Sequence, residues 1–217
     1  ASSTSLNIQS IAQSGPPVVV VDREFDDLQA DTVLVDNQLG GYLAGRHLIQ
    51  LGHRHVACIS GPSDLNPSAD RLIGFRKAFS QAGISVDERL FLRGDFRYQS
   101  GERCLHELLD LHLPFTAIFV CNDMMAIGAI KAAHNLKINI PGDISIIGFD
   151  DIPLAEAISP SLTTIAQPYT EMATAATQLL LQRLQESRQH QKPGLPQRIV
   201  LQPGLLVRES CAPPRGN

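Results

Sequence analysis

Short apolar runs alternate along the chain with longer stretches of mixed character. The runs are PVVVV (17–21), TVLV (32–35), HVACIS (55–60), RLFLRG (89–94), AIFVC (117–121), ISIIGF (144–149) and LTTIA (162–166). Short, almost wholly apolar runs of this kind are the mark of strands buried on both faces. Between most of them the pattern predicts helices, over 37–51, 67–82, 98–112, 123–136 and 169–187. Gly52, Gly83 and the Pro141-Gly142 pair punctuate helix ends. Strands alternating with helices of this length predict βαβ units, and so an α/β fold of parallel sheets with helices on both faces.

Two places break the alternation. PVVVV and TVLV are separated only by DREFDDLQAD, too little chain for a helical crossover. After LTTIA, the long helix leads into ESRQHQKPGLP and two strand-like runs, RIVL and GLLV. The breaks predict a chain that moves between two lobes. Residues 1–35 with 167–202 form an N-terminal lobe, and 36–166 with 203–210 a C-terminal one. The C-terminal lobe has a full set of βα units. The N-terminal lobe has fragments only and is expected to be incomplete, with further residues of it upstream of Ala1. The opening ASSTSLNIQSIAQSG reads as the end of a strand and a short helix, and CAPPRGN (211–217) as a disordered tail.

Composition narrows the function classes. At 217 residues, 43% hydrophobic, the chain can bury an ordinary core. A charged fraction of 18% and a net charge of −4 offer nucleic acid no basic face. The four cysteines, 58, 104, 121 and 211, form no close pair, and Cys58 and Cys121 lie inside apolar runs. They read as small core residues in a reducing cytoplasm. There is no signal peptide and no apolar stretch of transmembrane length, so no membrane partner is expected. His47 and GHRHV lack the carboxylate or cysteine that would complete a metal shell. SGPSDLNPSADR lacks the lysine and spacing of a phosphate loop, and neither G-x-G-x-x-G nor G-x-S-x-G occurs. No catalytic constellation, metal site or cofactor is expected.

The informative residues sit where strands end. In a parallel sheet, ligands bind outside the carboxyl ends of the strands. Those ends carry Asp22-Arg23, Asp95-Phe96, Asn122-Asp123, Asp150-Asp151 and Gln167, with Arg71 near the start of the helix after HVACIS. Aspartate accepts two hydroxyl protons, arginine donates in a fixed fork, and the amides do both. Each residue alone could be a helix cap, the simplest reading of Asp123 and Asp151. Together, on one edge, they point to a site for a small polyhydroxylated ligand, with Phe96 as a flat face for stacking.

The segments GHRHVACISGP, SADRLIGFRKAF, AIFVCNDMMAIGAIKAA, IPGDISIIGFDDIPLAEAISPSLTTIAQP and ATQLLLQRL resemble the effector-binding domain of the lactose/galactose-repressor family of bacterial transcription regulators. The resemblance runs from about Ile8 to Glu209. It implies a two-lobed, periplasmic-binding-protein-like fold with three crossovers between lobes and the effector between them. It implies effector contacts at Arg71, Asn122, Asp150 and Gln167, with Phe96 at the aromatic position. The Asp22-Arg23 pair resembles a ribose-binding arrangement, so a ribose-type effector is implied. Replacing Arg71 with Ala is expected to abolish binding and spare the fold. Family members begin with a helix-turn-helix domain and a hinge helix, both absent here, so operator DNA is expected to be reached only through that part. The family's homodimer face falls on Met124, Ile127, Lys131, Ala157 and Ile158, although Met124 and Ile127 also suit a core. Two rivals remain: a periplasmic-type sugar-binding protein for transport, and an α/β sugar or nucleoside hydrolase with FDD (149–151) on a metal.

Overall fold

The computed structural model describes residues 16–25, 28–63, 65–189 and 194–215. The strand end and helix read in ASSTSLNIQSIAQSG lie outside them. The chain divides into two compact units, Ala1–Asp36 with Pro168–Gln202, and Asn37–Gln167 with Pro203–Asn217. It therefore passes from one unit to the other three times. Among the described residues no helix is long and apolar enough to cross a membrane.

The smaller unit holds a parallel sheet of β1 (Val19–Val21), β2 (Asp31–Val35) and β8 (Arg198–Leu201), in the order β1-β2-β8. Val33 and Val35 of β2 pack against Met172 and Leu179 of the helix α6 (Tyr169–Arg188). One buried ion pair pins that helix to the sheet. Arg183 donates to both oxygens of Asp31, Nε to Oδ2 at 2.7 Å and Nη2 to Oδ1 at 2.9 Å. Asp31 also accepts the Gln197 N–H at 2.7 Å, and Nη2 of Arg183 donates to the Leu195 carbonyl at 2.7 Å. The guanidinium holds the Asp31 carboxyl below its usual range, against the opposing effect of burial.

The larger unit is built on a six-stranded sheet in the order β4-β3-β5-β6-β7-β9. Its strands are β3 (Val56–Ser60), β4 (Phe91–Arg93), β5 (Ala117–Val120), β6 (Ser145–Asp150), β7 (Thr163–Ala166) and β9 (Gly204–Leu206). β9 runs antiparallel to β7 and the other pairs are parallel. The crossover helices are α2 (Asn66–Gln81), α3 (Tyr98–Asp110) and α4 (Asp123–Asn135). β3 to β4 steps one way along the sheet, whereas β4 to β5 and β5 to β6 step the other. Right-handed crossovers therefore put α2 on one face and α3 and α4 on the opposite one. The helix α1 (Asn37–Gln50) packs on α2. A short helix α5 (Pro153–Ala157), with proline in its first turn, occupies a stretch for which the sequence pattern predicts no element. The run 89–94 splits into a 3-10 turn, Glu88–Leu90, and the strand β4.

Reciprocal glycines set both helix pairs. A Cβ on Gly41 of α1 would lie 1.9 Å from the Arg71 carbonyl oxygen, and one on Gly74 of α2 would lie 1.9 Å from that of Gln38. On the other face, a Cβ on Gly101 or Gly128 would meet the carbonyl of Met125 or Tyr98 at 1.9 and 2.1 Å. Each helix thus rides directly on its neighbour's backbone. One consequence corrects the expected dimer face. With α4 pressed onto α3, Ile127 is buried in the core cluster, at 7% exposure, and is spent within its own unit. Met124, Lys131 and Ala157 are exposed, and Ile158 is half-buried against the core.

The C-terminal segment is a second correction. Expected to be disordered, residues 211–215 lie along the larger unit. Ala212 donates its N–H to Ser145 Oγ at 3.0 Å, and its carbonyl sits 2.9 Å from His53 Nε2. Cys211 Sγ contacts the Ile146 carbonyl at 3.3 Å, and Arg215 pairs with Asp143 at 2.5 Å. The segment is thus held by side chains that lie just before or at the start of β3 and β6, namely His53, Asp143 and Ser145.

Gly41→Ala tests the close approach. In an open helix this change stabilises by about 1 kcal/mol. Here the methyl group overlaps a backbone carbonyl that cannot move alone. The expected outcome is a net loss of roughly 1–3 kcal/mol, read as a lowered urea midpoint.

Candidate functional site

At the carboxyl edge of the six-stranded sheet, β3, β5, β6 and β7 end beside the N-terminal turns of α1, α2 and α4. Arg71, in the second turn of α2, is 3% exposed. Its Nε donates to Asn37 Oδ1 at 2.8 Å, and its Nη1 to the Cys121 carbonyl at 2.6 Å. The guanidinium lies 3.6 Å from the centre of the Phe149 ring. Phe149 fits because Gly40 of α1 has no side chain: a Cβ there would fall 2.5 Å from the ring. Asp150 Oδ1 stands 3.4 Å from Nη1, too far for a strong charge-assisted bond. No described residue accepts from Nη2.

Asp150 is turned instead toward Gln167, whose Nε2 donates to the same Oδ1 at 2.7 Å; the Gln167 N–H meets the Asp150 carbonyl at 3.2 Å. Gln167 is 8% exposed, and its Oε1 is buried with no hydrogen-bond partner among the described residues. Leaving a buried acceptor unmatched costs about 1–3 kcal/mol. A buried acceptor left open at a strand end can take a donor from outside the fold.

Phe96 and Asn122 complete the group. The Phe96 ring is centred 6.0 Å from the Arg71 guanidinium carbon. Asn122 caps α4, its Oδ1 accepting the Met125 N–H at 3.0 Å, while its Nδ2 donates to the Phe96 carbonyl at 3.0 Å. Backbone strain gathers at the strand ends. Asp22, Phe96, Asp150 and Asp151 have φ of 61°, 65°, 115° and 62°. Left-handed conformations in non-glycine residues cost about 1–3 kcal/mol each and persist where the surroundings over-determine them. The other non-glycine cases among the described residues, His112 and Lys137, merely end helices.

The two aspartates first read as caps do other work. Asp151 Oδ1 accepts from Arg208 Nη2 at 2.7 Å. Asp123 is fully buried, its Oδ1 accepting the Thr164 hydroxyl at 2.6 Å and its Oδ2 the Ile152 N–H at 2.9 Å. It ties the start of α4 to the loop after β6 and to β7. Burial pushes its carboxyl up to about 7, against those hydrogen bonds. In FDD, then, Asp150 lies nearest Arg71 and Asp151 pairs with Arg208.

The edge brings together Arg71, Phe96, Asn122, Asp150 and Gln167. Asp22 and Arg23 belong to the smaller unit. Asp22 follows β1 and donates its N–H to the Val33 carbonyl at 2.9 Å, and Arg23 is exposed. Sequence reasoning missed Asn37, Phe149 and Gly40. Asn37 obeys the same strand-end rule as Asn122, lying two residues after the end of β2, and was passed over as the start of a helix. The expectation that Arg71→Ala spares the fold does not survive its burial, since the change would strand Cys121's carbonyl and empty the space over Phe149.

A mostly parallel α/β unit with its polar groups on the carboxyl edge is the architecture of a ligand-binding domain, and the comparisons agree. The periplasmic binding protein-like domain matches residues 46–211, and the chain belongs to that family. Within it, the chain is an effector-binding domain of the lactose/galactose-repressor type. It is 40% identical over 206 residues to the HTH-type transcriptional regulator DegA of Bacillus subtilis, covering 95% of this chain and 59% of DegA. It is 41% identical over 199 residues to the HTH-type transcriptional repressor PurR of Klebsiella pneumoniae, covering 90% of this chain and 56% of PurR. The chain thus spans little more than half the length of these relatives. Among solved structures, a LacI family transcriptional regulator from Enterococcus faecium with bound ribose superposes with a TM-score of 0.86 at 32% identity, covering 99% of this chain and 77% of that one.

Asp123 gives a pH prediction. Its carboxyl is raised in the fold to about 7 from an ordinary value of 3.8. Between those values the folded chain holds a proton that the unfolded chain has released, so the contribution of Asp123 to stability falls as pH rises through that window and is level above it. Asp123→Asn, which can still bond Thr164 and Ile152, removes that slope. Urea midpoints from pH 4 to 8 are expected to fall less steeply toward neutrality in the variant than in the wild type.

Proposed function

We propose that this chain is the sensing part of a bacterial DNA-binding transcriptional repressor, and that its effector is a small polyhydroxylated molecule, a sugar such as ribose. The observation that carries the reading is the buried, unmatched Oε1 of Gln167 beside Asp150 and Arg71. Gln167 asks for a hydroxyl donor, and Nη2 of Arg71 asks for an acceptor. A sugar carries both on adjacent carbons, and Phe96 supplies an apolar surface for its ring face. Support comes from relatives that are transcription regulators and from the Enterococcus faecium regulator with ribose. Asp22 and Arg23 are assigned as further effector contacts.

The effector acts by favouring one state of the regulator over another, and it shifts DNA affinity only by its difference in affinity for the two. Operator contact is assigned to a helix-turn-helix segment and not to the residues described. The regulator works as a homodimer through Met124, Lys131, Ala157 and Ile158, of which Met124 is 37% exposed. Such a chain has no catalytic role and works in the cytoplasm.

Calorimetric titration with ribose, other pentoses, hexoses, their phosphates and purines tests the reading. One sugar is expected to bind saturably. Gln167→Met, which keeps the volume and removes the amide, is expected to weaken it about tenfold, as the loss of a well-placed hydrogen bond should. Unchanged affinity in that variant removes Gln167 from the site, and saturable binding of a purine alone overturns the sugar. For the homodimer, sedimentation is expected to show a dimer that Met124→Glu with Ala157→Glu turns into monomers. A wild-type chain that stays monomeric at high concentration defeats it.

A further inference from the structure

We propose that residues 211–215 form a strap that a proton releases: His53 holds it while neutral and lets it go when protonated. The strap crosses the amino edge of the six-stranded sheet, opposite the edge that carries Arg71 and Asp150. His53 lies beneath it, in the turn between α1 and β3. Its chain neighbours Gly52, Arg54 and His55 are exposed, yet His53 itself is 1% exposed. The strap reaches this turn at two points. The Ala212 carbonyl stands 2.9 Å from Nε2, and Pro214 lies beside Gly52, where a Cβ would fall 3.7 Å from the proline ring.

The partners of the ring suit its neutral form. A carbonyl only accepts, so Nε2 carries a hydrogen, and Nδ1 is left to accept the Thr116 hydroxyl at 2.8 Å. A second proton, on Nδ1, turns that hydroxyl toward the His55 carbonyl, 3.3 Å away, and puts a whole charge out of water. No carboxylate among the described residues bonds to the ring to offset it. From α1 comes His47, also buried, its Nε2 without a hydrogen-bond partner among the described residues. The turn carries Arg54 and His55, and the loop before β5 carries His112, whose ring meets the Leu109 carbonyl. The strap brings Cys211 and Arg215, and Asp143, ahead of β6, is held by Arg215.

Burial pushes the His53 ring below its ordinary 6.5; the Ala212 bond opposes this and His47 adds to it. With the strap open, the ring faces water and takes up its proton near the ordinary value. The closed strap therefore binds fewer protons than the open one. Its hold is complete above pH 6.5 and weakens as pH falls below that value, by up to about tenfold per pH unit for one histidine.

Amide hydrogen exchange from about pH 8 to pH 5, each rate divided by the intrinsic rate at that pH, tests the strap. Protection of the Ala212 N–H, which donates to Ser145 Oγ, is expected to be level above pH 7 and to fall about tenfold by pH 5. Protection of Phe119, fully buried in β5, is expected not to follow it. His53→Gln keeps a donor for the Ala212 carbonyl and leaves Thr116 its His55 partner, but it cannot titrate, so its Ala212 protection is expected to be flat. A level Ala212 profile in the wild type overturns the proposal without any variant. So does a slope that persists in His53→Gln, or an equal fall at Phe119, which would mean unfolding of the whole unit. If His53→Gln does not fold, NMR titration of the His53 ring decides instead. Its midpoint is expected to coincide with the fall in protection, and a ring that stays neutral while the strap opens overturns the proposal.

Discussion

The larger unit is organised around one buried cation. A guanidinium out of water must be matched group by group or it destabilises the fold. Arg71 is matched by an amide oxygen from α1, a backbone carbonyl from the end of β5 and an aromatic face from β6. None of these is an anion, and the nearby carboxylate is drawn off by Gln167. The one counter-ion, Asp150, stands 3.4 Å away and shares the same oxygen with Gln167, so the charge is only loosely paired. That is a condition for binding, because a cation fully paired inside the fold has nothing left to offer a ligand. The same requirement explains the closeness of α1 and α2. Only with glycines at their crossing does Asn37 come within reach of Nε.

The rest of the edge follows a similar logic of incomplete satisfaction. Gln167 spends its nitrogen on Asp150 and keeps its oxygen buried and unmatched. Asp150, Asp151 and Phe96 sit in backbone conformations that their side chains disfavour. The cost is borne by a core in which Phe75, Phe79, Phe119 and Phe149 are all fully buried. Where the sheet is well packed the chain is relaxed, and where it meets solvent at the strand ends it is held tense.

The α/β class and most elements were legible in the sequence because fully apolar runs between helical stretches have few other solutions. The strand-end rule found Arg71, Phe96, Asn122, Asp150 and Gln167 as one group for the same reason: it depends on chain order alone. What it could not see is direction. Asp123 read as a cap and is instead a buried tie between α4, β7 and the loop after β6. Ile127 suited either the dimer face or the core in the sequence, because its own turn does not reveal that it joins the buried cluster. Residues 211–215 read as disordered because proline and small polar residues carry no period, yet the partners they satisfy, Ser145 and His53, lie far away in sequence. Partnerships of that span leave no local signature.

The ion pair of the smaller unit is also a matter of timing. Asp31 and Arg183 are 152 residues apart. At roughly 5–20 residues per second on the ribosome, the carboxylate waits on the order of ten seconds for its cation. The strand β2 waits longer still for β8, while the stretch from Asn37 to Gln167 emerges without interruption and has nearly all of its own sheet at hand. The sheet of the smaller unit is thus completed after all but the edge strand β9 of the larger one, and until α6 emerges Val33 and Val35 of β2 lack the Met172 and Leu179 side chains that pack on them.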